Sequence, residues 1–377
     1  MEYTNGLLPS SSEKWNQRPS QGYRKIFYLR SGHSLDRCLR DMKISGVRPI
    51  RYLSHLGMII GEYMHPCRSY KLEGIEYTES DIRITITEPY VGTLNAPVKQ
   101  ENLPWGIEKI KAHKAWKWSK GRGIRVAVID TGIADNHPAI RDNYRGGINI
   151  LSPYHTPTDY NGHGTHVAGI IAGRTAETGI VGVAPDTHIY GVKAFNRKGS
   201  ANLSDLLSAI NWCIENRMHV INMSFGMDKL SESLRHAIQI AHQKGILMVA
   251  AAGNQGLTSK IDFPARYPET IAVTSISKNG DLSVFSNFSK GVDIAAPGDR
   301  ILSAWLNQSK REMSGTSMAV PHVTGTISLL LHLNPYLNPE QVRYILTQSA
   351  EKSERLKGIG MLNAYEVLRF YHKIYRY

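Results

Sequence analysis

The chain has 377 residues, 41% of them hydrophobic, and carries 45 Lys and Arg against 32 Asp and Glu for a formal net charge of +13. That length admits two domains and a sizeable core, but no apolar run approaches the roughly 20 residues that span a bilayer, so no membrane partner is expected. The basic charge is scattered, with no Lys/Arg run longer than two residues, which predicts a solvated surface and no nucleic-acid site.

Residues 1–23 are polar and read as disordered. The first 30 residues show neither an apolar h-region nor a small-residue cleavage site, so they do not read as a secretory signal. A cytoplasmic protein is the simplest expectation, and secretion by a route not visible in the sequence is the alternative. A small α+β unit is expected over 24–90. Strands are predicted over 25–29, 48–53 and 56–64. Ser34 is placed to cap a helix with Leu35, Cys38, Leu39 and Met42 on one face. Ile82, Ile84 and Ile86 alternate with Arg83, Thr85 and Thr87, as in a half-buried strand. Residues 91–103, with Gly92 and Pro97, read as a linker. Cys38, Cys67 and Cys213 are too few and too odd in number for a disulfide framework. Cys213 is expected as a buried thiol in a helix, while Cys38 and Cys67 could pair without anything requiring it.

From residue 123 the pattern alternates. Strands are predicted over 124–129, 188–194, 220–225 and 246–251, with helices over 165–173, 203–216 and 230–244. Apolar strands alternating with helices predict an α/β fold with a doubly wound, mainly parallel sheet over 104–377. Ligands bind at the C-terminal ends of such strands, and Asp130, Ser224 and Asn254 are all expected there.

Three segments supply chemistry. Val128-Ile129-Asp130-Thr131-Gly132 ends a strand on a carboxylate. Asn161-Gly162-His163-Gly164-Thr165-His166 presents an imidazole, and Gly315-Thr316-Ser317-Met318-Ala319 presents a hydroxyl at a helix start. A serine becomes a nucleophile when a base lies within hydrogen-bond reach and a third group fixes that base's tautomer. Ser317, His163 and Asp130 fit those roles. Taken singly, the Asp and the Ser are ordinary capping residues, and His163 with His166 forms an H-x-x-H pair that lacks a third metal ligand. Met318 is expected within reach of oxidants.

The three segments, in the order Asp, His, Ser, resemble the signature blocks of the subtilisin-like serine peptidases. The resemblance implies a catalytic triad of Asp130, His163 and Ser317, and an oxyanion donor from Asn254 in Ala251-Ala252-Gly253-Asn254. The Ser317 N–H is the natural second donor. The resemblance also implies that Gly199-Ser200-Ala201 pairs with an extended substrate backbone and that Ser224-Phe225-Gly226 lines the P1 pocket. Met227 stands where the family usually has glycine. The neighbouring rim residue, Gln255, is uncharged, so broad P1 tolerance with an apolar or aromatic bias is expected. Polypeptides are the implied substrates. The unit at 24–90 is similar in layout to the family's propeptide, which implies an intramolecular inhibitor, a zymogen, and a processing site between Tyr90 and Leu103. No cofactor is expected to be required. Calcium remains possible, but the family's strong site is degraded: Ala139 and Ala176 replace two ligands, leaving Glu101 and, as a substitute, Glu177.

Overall fold

The structure is a computed structural model that describes residues 23–63, 72–86, 103–175 and 179–375. The linker up to residue 102, the processing segment, Cys67, Glu101, Ala176 and Glu177 lie outside the described residues, as does the expected disordered segment except for Tyr23, which begins a strand.

The N-terminal unit is a four-stranded antiparallel sheet in the order Val47–Leu53, Met58–Tyr63, Tyr23–Leu29, Ile75–Ser80. Side chains on a strand alternate between faces. Phe27, Val47 and Ile59 therefore pack against Cys38 and Met42 of the helix Leu35–Ile44. Ile26, Leu53, Met58 and Ile60 face the other way and join the core of the second domain. Ser34 sits at the N-cap as expected, but its side chain makes no capping hydrogen bond. The strand Ile75–Ser80 was not predicted; its sequence, Ile-Glu-Tyr-Thr-Glu-Ser, lies at the exposed sheet edge and shows no apolar alternation.

The second domain is built on a nine-stranded sheet. Arg125–Asp130 is flanked on one side by His188–Lys193 and then Tyr144–Asn149. On the other side follow Val220–Met223, Leu247–Ala251, Ile271–Ile276, Ile294–Pro297, Gly360–Met361 and Glu351–Lys352. All neighbouring pairs are parallel except the last. Val126 and Val128 face a core shared with the helices His163–Ala172 and Thr316–Leu333. Ala127 and Ile129 face a core shared with Leu203–Glu215 and Glu232–Gln243. The fold is thus the expected doubly wound α/β sheet preceded by a small α+β unit. The chain order reverses beside Arg125–Asp130, where such sheets open a crevice at their C-terminal edge.

Candidate active site

Asp130 is the last residue of its strand and is fully buried. Its Oδ1 accepts the Thr131 N–H at 2.7 Å, which fixes the carboxylate. His163 opens the helix His163–Ala172, and its Nδ1 lies 2.8 and 2.9 Å from the two Asp130 oxygens. Gly164 permits this approach, because a Cβ there would stand 2.2 Å from the Gly132 carbonyl oxygen and 3.1 Å from Asp130 Cβ. Asp159, which carries no motif and was not anticipated, holds the helix start. Its Oδ1 accepts from Thr131 Oγ1 and the Gly162 N–H, and its Oδ2 from the Thr165 N–H and hydroxyl. Burial by itself disfavours the His163 imidazolium. The Asp130 charge and hydrogen bond, with the charge of Asp159, outweigh that effect and raise its pKa above the ordinary 6.5. The buried Nε2 has no hydrogen-bond partner among the described residues.

Ser317 lies in the first turn of Thr316–Leu333, where backbone N–H groups have no acceptor within the helix. Pro321 cannot donate to the Ser317 carbonyl, four residues back, and that carbonyl accepts the Ser224 hydroxyl instead, at 2.9 Å. In return the Ser317 hydroxyl donates to the Ser224 carbonyl at 3.0 Å. Ser224 directly follows the strand Val220–Met223. Asn254 follows Leu247–Ala251, and its Oδ1 accepts the Thr316 N–H at 2.9 Å and the Thr316 hydroxyl at 3.0 Å. With its oxygen held there, the Asn254 amide keeps Nδ2 available as a donor beside the Ser317 turn. Met318 departs from expectation: it is fully buried, packed into the core beneath the helix.

The expected substrate-binding segment is a strand already paired. Ser200–Asn202 runs antiparallel to Arg83–Thr85 of the N-terminal unit, with Ala201 opposite Ile84. The Gly199 carbonyl accepts the Ile86 N–H at 2.8 Å. Phe225 is 2% exposed and packs against Phe195, in one core with Ile84, Ile86 and Leu203. Gly226 lies against a residue the sequence reading missed, Asp262.

The H-x-x-H pair does not act as a unit. His166 Nε2 bonds the carbonyls of Ile301 and Arg311 at 3.0 and 2.9 Å, and burial pushes its pKa down to about 3. Ala139 is buried and contributes no side-chain oxygen, and His137 before it is turned to the Ser309 carbonyl.

The sequence model of the Subtilase family matches residues 121–365. Subtilisin Savinase of Lederbergia lenta is 39% identical over 267 residues, which cover 70% of this chain and 98% of that protein. The thermostable alkaline protease of Halalkalibacterium halodurans is 39% identical over 295 residues, covering 77% and 81%. Among solved structures, that of a cold adapted subtilisin-like serine proteinase matches with a TM-score of 0.64 at 34% identity, covering 70% of this chain and 99% of the other. The chain belongs to the subtilase family and is a subtilisin-like serine endopeptidase, a hydrolase of peptide bonds in polypeptide substrates.

Proposed function

We propose that Ser317 is the nucleophile, His163 the general base and acid, Asp130 the orienting carboxylate, and Asn254 with the Ser317 N–H the oxyanion hole. The observation that carries this reading is the state of His163: Nδ1 is tied to buried Asp130, while the buried Nε2 has no hydrogen-bond partner among the described residues. With its proton on Nδ1, the ring holds a lone pair on Nε2. Rotation of the Ser317 hydroxyl away from the Ser224 carbonyl brings its proton to that lone pair; such bonds commonly tighten only when substrate binds. Oγ then attacks the peptide carbonyl carbon, Nε2 takes the proton, and the Asn254 Nδ2 and Ser317 N–H receive the oxyanion. Collapse expels the amine, which takes the proton from Nε2. Water repeats the sequence and releases the acyl group from Ser317.

The N-terminal unit, in this reading, is an intramolecular inhibitor with its domain limits at 24–90, followed by the linker 91–103 and the catalytic domain 104–377. Three contacts support it. Arg83–Thr85 occupies the edge expected to receive a substrate strand, the added-strand mode of peptide recognition. Asp81 accepts the Ser204 N–H and hydroxyl at 2.8 and 2.7 Å. Glu79 accepts the Ser233 N–H at 2.8 Å. The last two are carboxylates at the N-termini of two catalytic-domain helices, where negative charge is favoured. N-terminal sequencing tests the zymogen: the wild type should start within 91–103, and Ser317→Ala should stay full length. Normal processing of Ser317→Ala would sink self-cleavage.

Of the two expected compartments, secretion fits relatives named alkaline proteases better than the cytoplasm, which is held near neutrality. Fractionation of the source cells decides it, and enzyme confined to the cells would count against secretion. Among the described residues no helix is long and apolar enough to cross a membrane. Calcium is not expected to matter strongly at the family's site, since Ala139 supplies no ligand and calcium takes 6–8 oxygens. Thermal midpoints of Ser317→Ala with calcium and with a chelator should agree; a large difference would show a tight site.

A further inference from the structure

Gln255, the residue after Asn254, lines a groove of about 680 Å³ together with Gly226, Asp228, Lys260, Asp262 and Arg266 of the catalytic domain and Arg83 of the N-terminal strand. The backbone brings Asp262 into it. Met227 and Phe263 exchange N–H and carbonyl bonds at 2.8 Å in a single antiparallel bridge, and the Asp262 N–H donates to the Ala252 carbonyl at 2.8 Å. Asp262 is thereby held between the end of the Ser224-Phe225-Gly226 segment and the Ala252-Gly253-Asn254 turn. Both walls are glycine where the carboxylate sits. A Cβ on Gly226 would stand 2.6 Å from Asp262 Oδ2, and a Cβ on Gly253 would stand 2.5 Å from it. Any larger residue on either wall would collide with this carboxylate.

Asp262 is 4% exposed. Among the described residues its carboxylate accepts one side-chain hydrogen bond, from Gln255 Nε2 to Oδ2 at 3.3 Å, and forms no ion pair. The nearby Arg266 is directed elsewhere: its Nε donates to the Ile261 carbonyl at 2.7 Å and its guanidinium lies 4.5 Å from the Phe263 ring centre. Gln255 is itself held, its N–H donating to Asn287 Oδ1 at 2.7 Å. Burial raises the pKa of Asp262, opposed by the Gln255 bond and the Arg266 charge. A nearly buried carboxylate without a cation is costly unless something positive completes it.

We infer that Asp262 makes the P1 pocket selective for a basic side chain, so that the substrates are polypeptides cut after Arg or Lys. The inference rests on the assignment of Ser317 and Asn254 given under Proposed function. It replaces the apolar or aromatic bias expected from Gln255, because the charge enters from a residue with no motif around it. The N-terminal strand already brings a basic residue, Arg83, to the same groove. In the sequence between Val91 and Leu103 the one basic residue is Lys99, so cleavage there, leaving Gln100 first, is the processing such a pocket favours.

The test uses processed enzyme and peptide anilides identical from P4 to P2, with Arg, Lys, Phe or Leu at P1. Arg and Lys should give the higher kcat/KM. Asp262→Asn should lower the Arg and Lys values by on the order of 10²-fold relative to the Phe and Leu values, since it removes one partner of a buried charge pair. A wild type that prefers Phe or Leu overturns the inference, whether or not the variant folds, and leaves the triad untouched. Benzamidine binding needs no catalysis and probes the pocket even if the triad assignment fails. It should be tighter to wild type than to Asp262→Asn, and equal binding overturns the inference.

Discussion

The two domains bury their sheets by different means. In the catalytic domain, Val220–Met223 and Leu247–Ala251 are buried along their whole length, with helices of the same domain on both faces. Among the described residues, the N-terminal sheet has its own helix on one face only. Its other face, with Ile26, Leu53, Met58 and Ile60, is covered by the catalytic-domain helices Leu203–Glu215 and Glu232–Gln243. One domain carries its own core, whereas the other borrows half of one, as small domains often must. Their chemistry divides the same way. The proposed catalytic groups are locked by bonds inside their own domain, while the N-terminal carboxylates Glu79 and Asp81 accept hydrogen bonds across the interface, Asp81 also lying 3.7 Å from Arg24 of its own sheet.

The sharpest way to break this comparison is to disturb the internal lock while leaving the interface alone. Asp130→Asn should keep the fold but lower kcat by on the order of 10⁴, because the amide favours the wrong imidazole tautomer. Steady-state hydrolysis by processed enzyme measures it, and a loss below tenfold would mean that Asp130 does not orient His163. Asn254→Ala should lower kcat by about 10²–10³, a scale taken from subtilisin itself, with KM little changed. A change in KM alone would remove Asn254 from the oxyanion hole. Neither substitution should alter docking of the N-terminal domain.

The interface answers to smaller changes. Asp81→Ala and Glu79→Ala each remove a carboxylate from a helix N-terminus, worth about 1 kcal/mol or roughly fivefold in affinity. Inhibition of processed catalytic domain by added N-terminal domain should weaken by that factor for each. The intrinsic kcat of the processed enzyme should stay the same. Unchanged inhibition by the double variant would show that strand pairing and apolar contact dominate the docking.

The same division explains what could be read from the sequence. Each proposed catalytic residue stands in a short contiguous motif because its constraints are local: Gly164 follows His163 and clears Asp130, and Pro321 lies four residues after Ser317 and frees its carbonyl. The apolar strands expected over 124–129, 188–194, 220–225 and 246–251 were legible because both their faces are buried, whereas Ile271–Ile276 and Ile294–Pro297, just as buried, were not predicted. Tyr144–Asn149 was missed, as its two glycines break the apolar run. Asp159, Asp81 and Asp262 were missed because each acts through partners set by the fold. Asp81 meets Ser204 at a separation of 123 residues, and Glu79 meets Ser233 at 154. No pattern of neighbouring residues announces such contacts.

The central claim is that Ser317 is activated by a histidine whose base nitrogen is held open inside the catalytic domain. Fluorophosphonate labelling of the processed enzyme, mapped by peptide and followed against pH, tests it most directly. The imidazole must be neutral to accept the serine proton, and its pKa is raised, so reactivity should be full at alkaline pH and fall as pH drops through a midpoint above 6.5. The label should sit on Ser317 and vanish in His163→Ala. Labelling at another residue, or a rate on Ser317 that does not change with pH, would contradict the account.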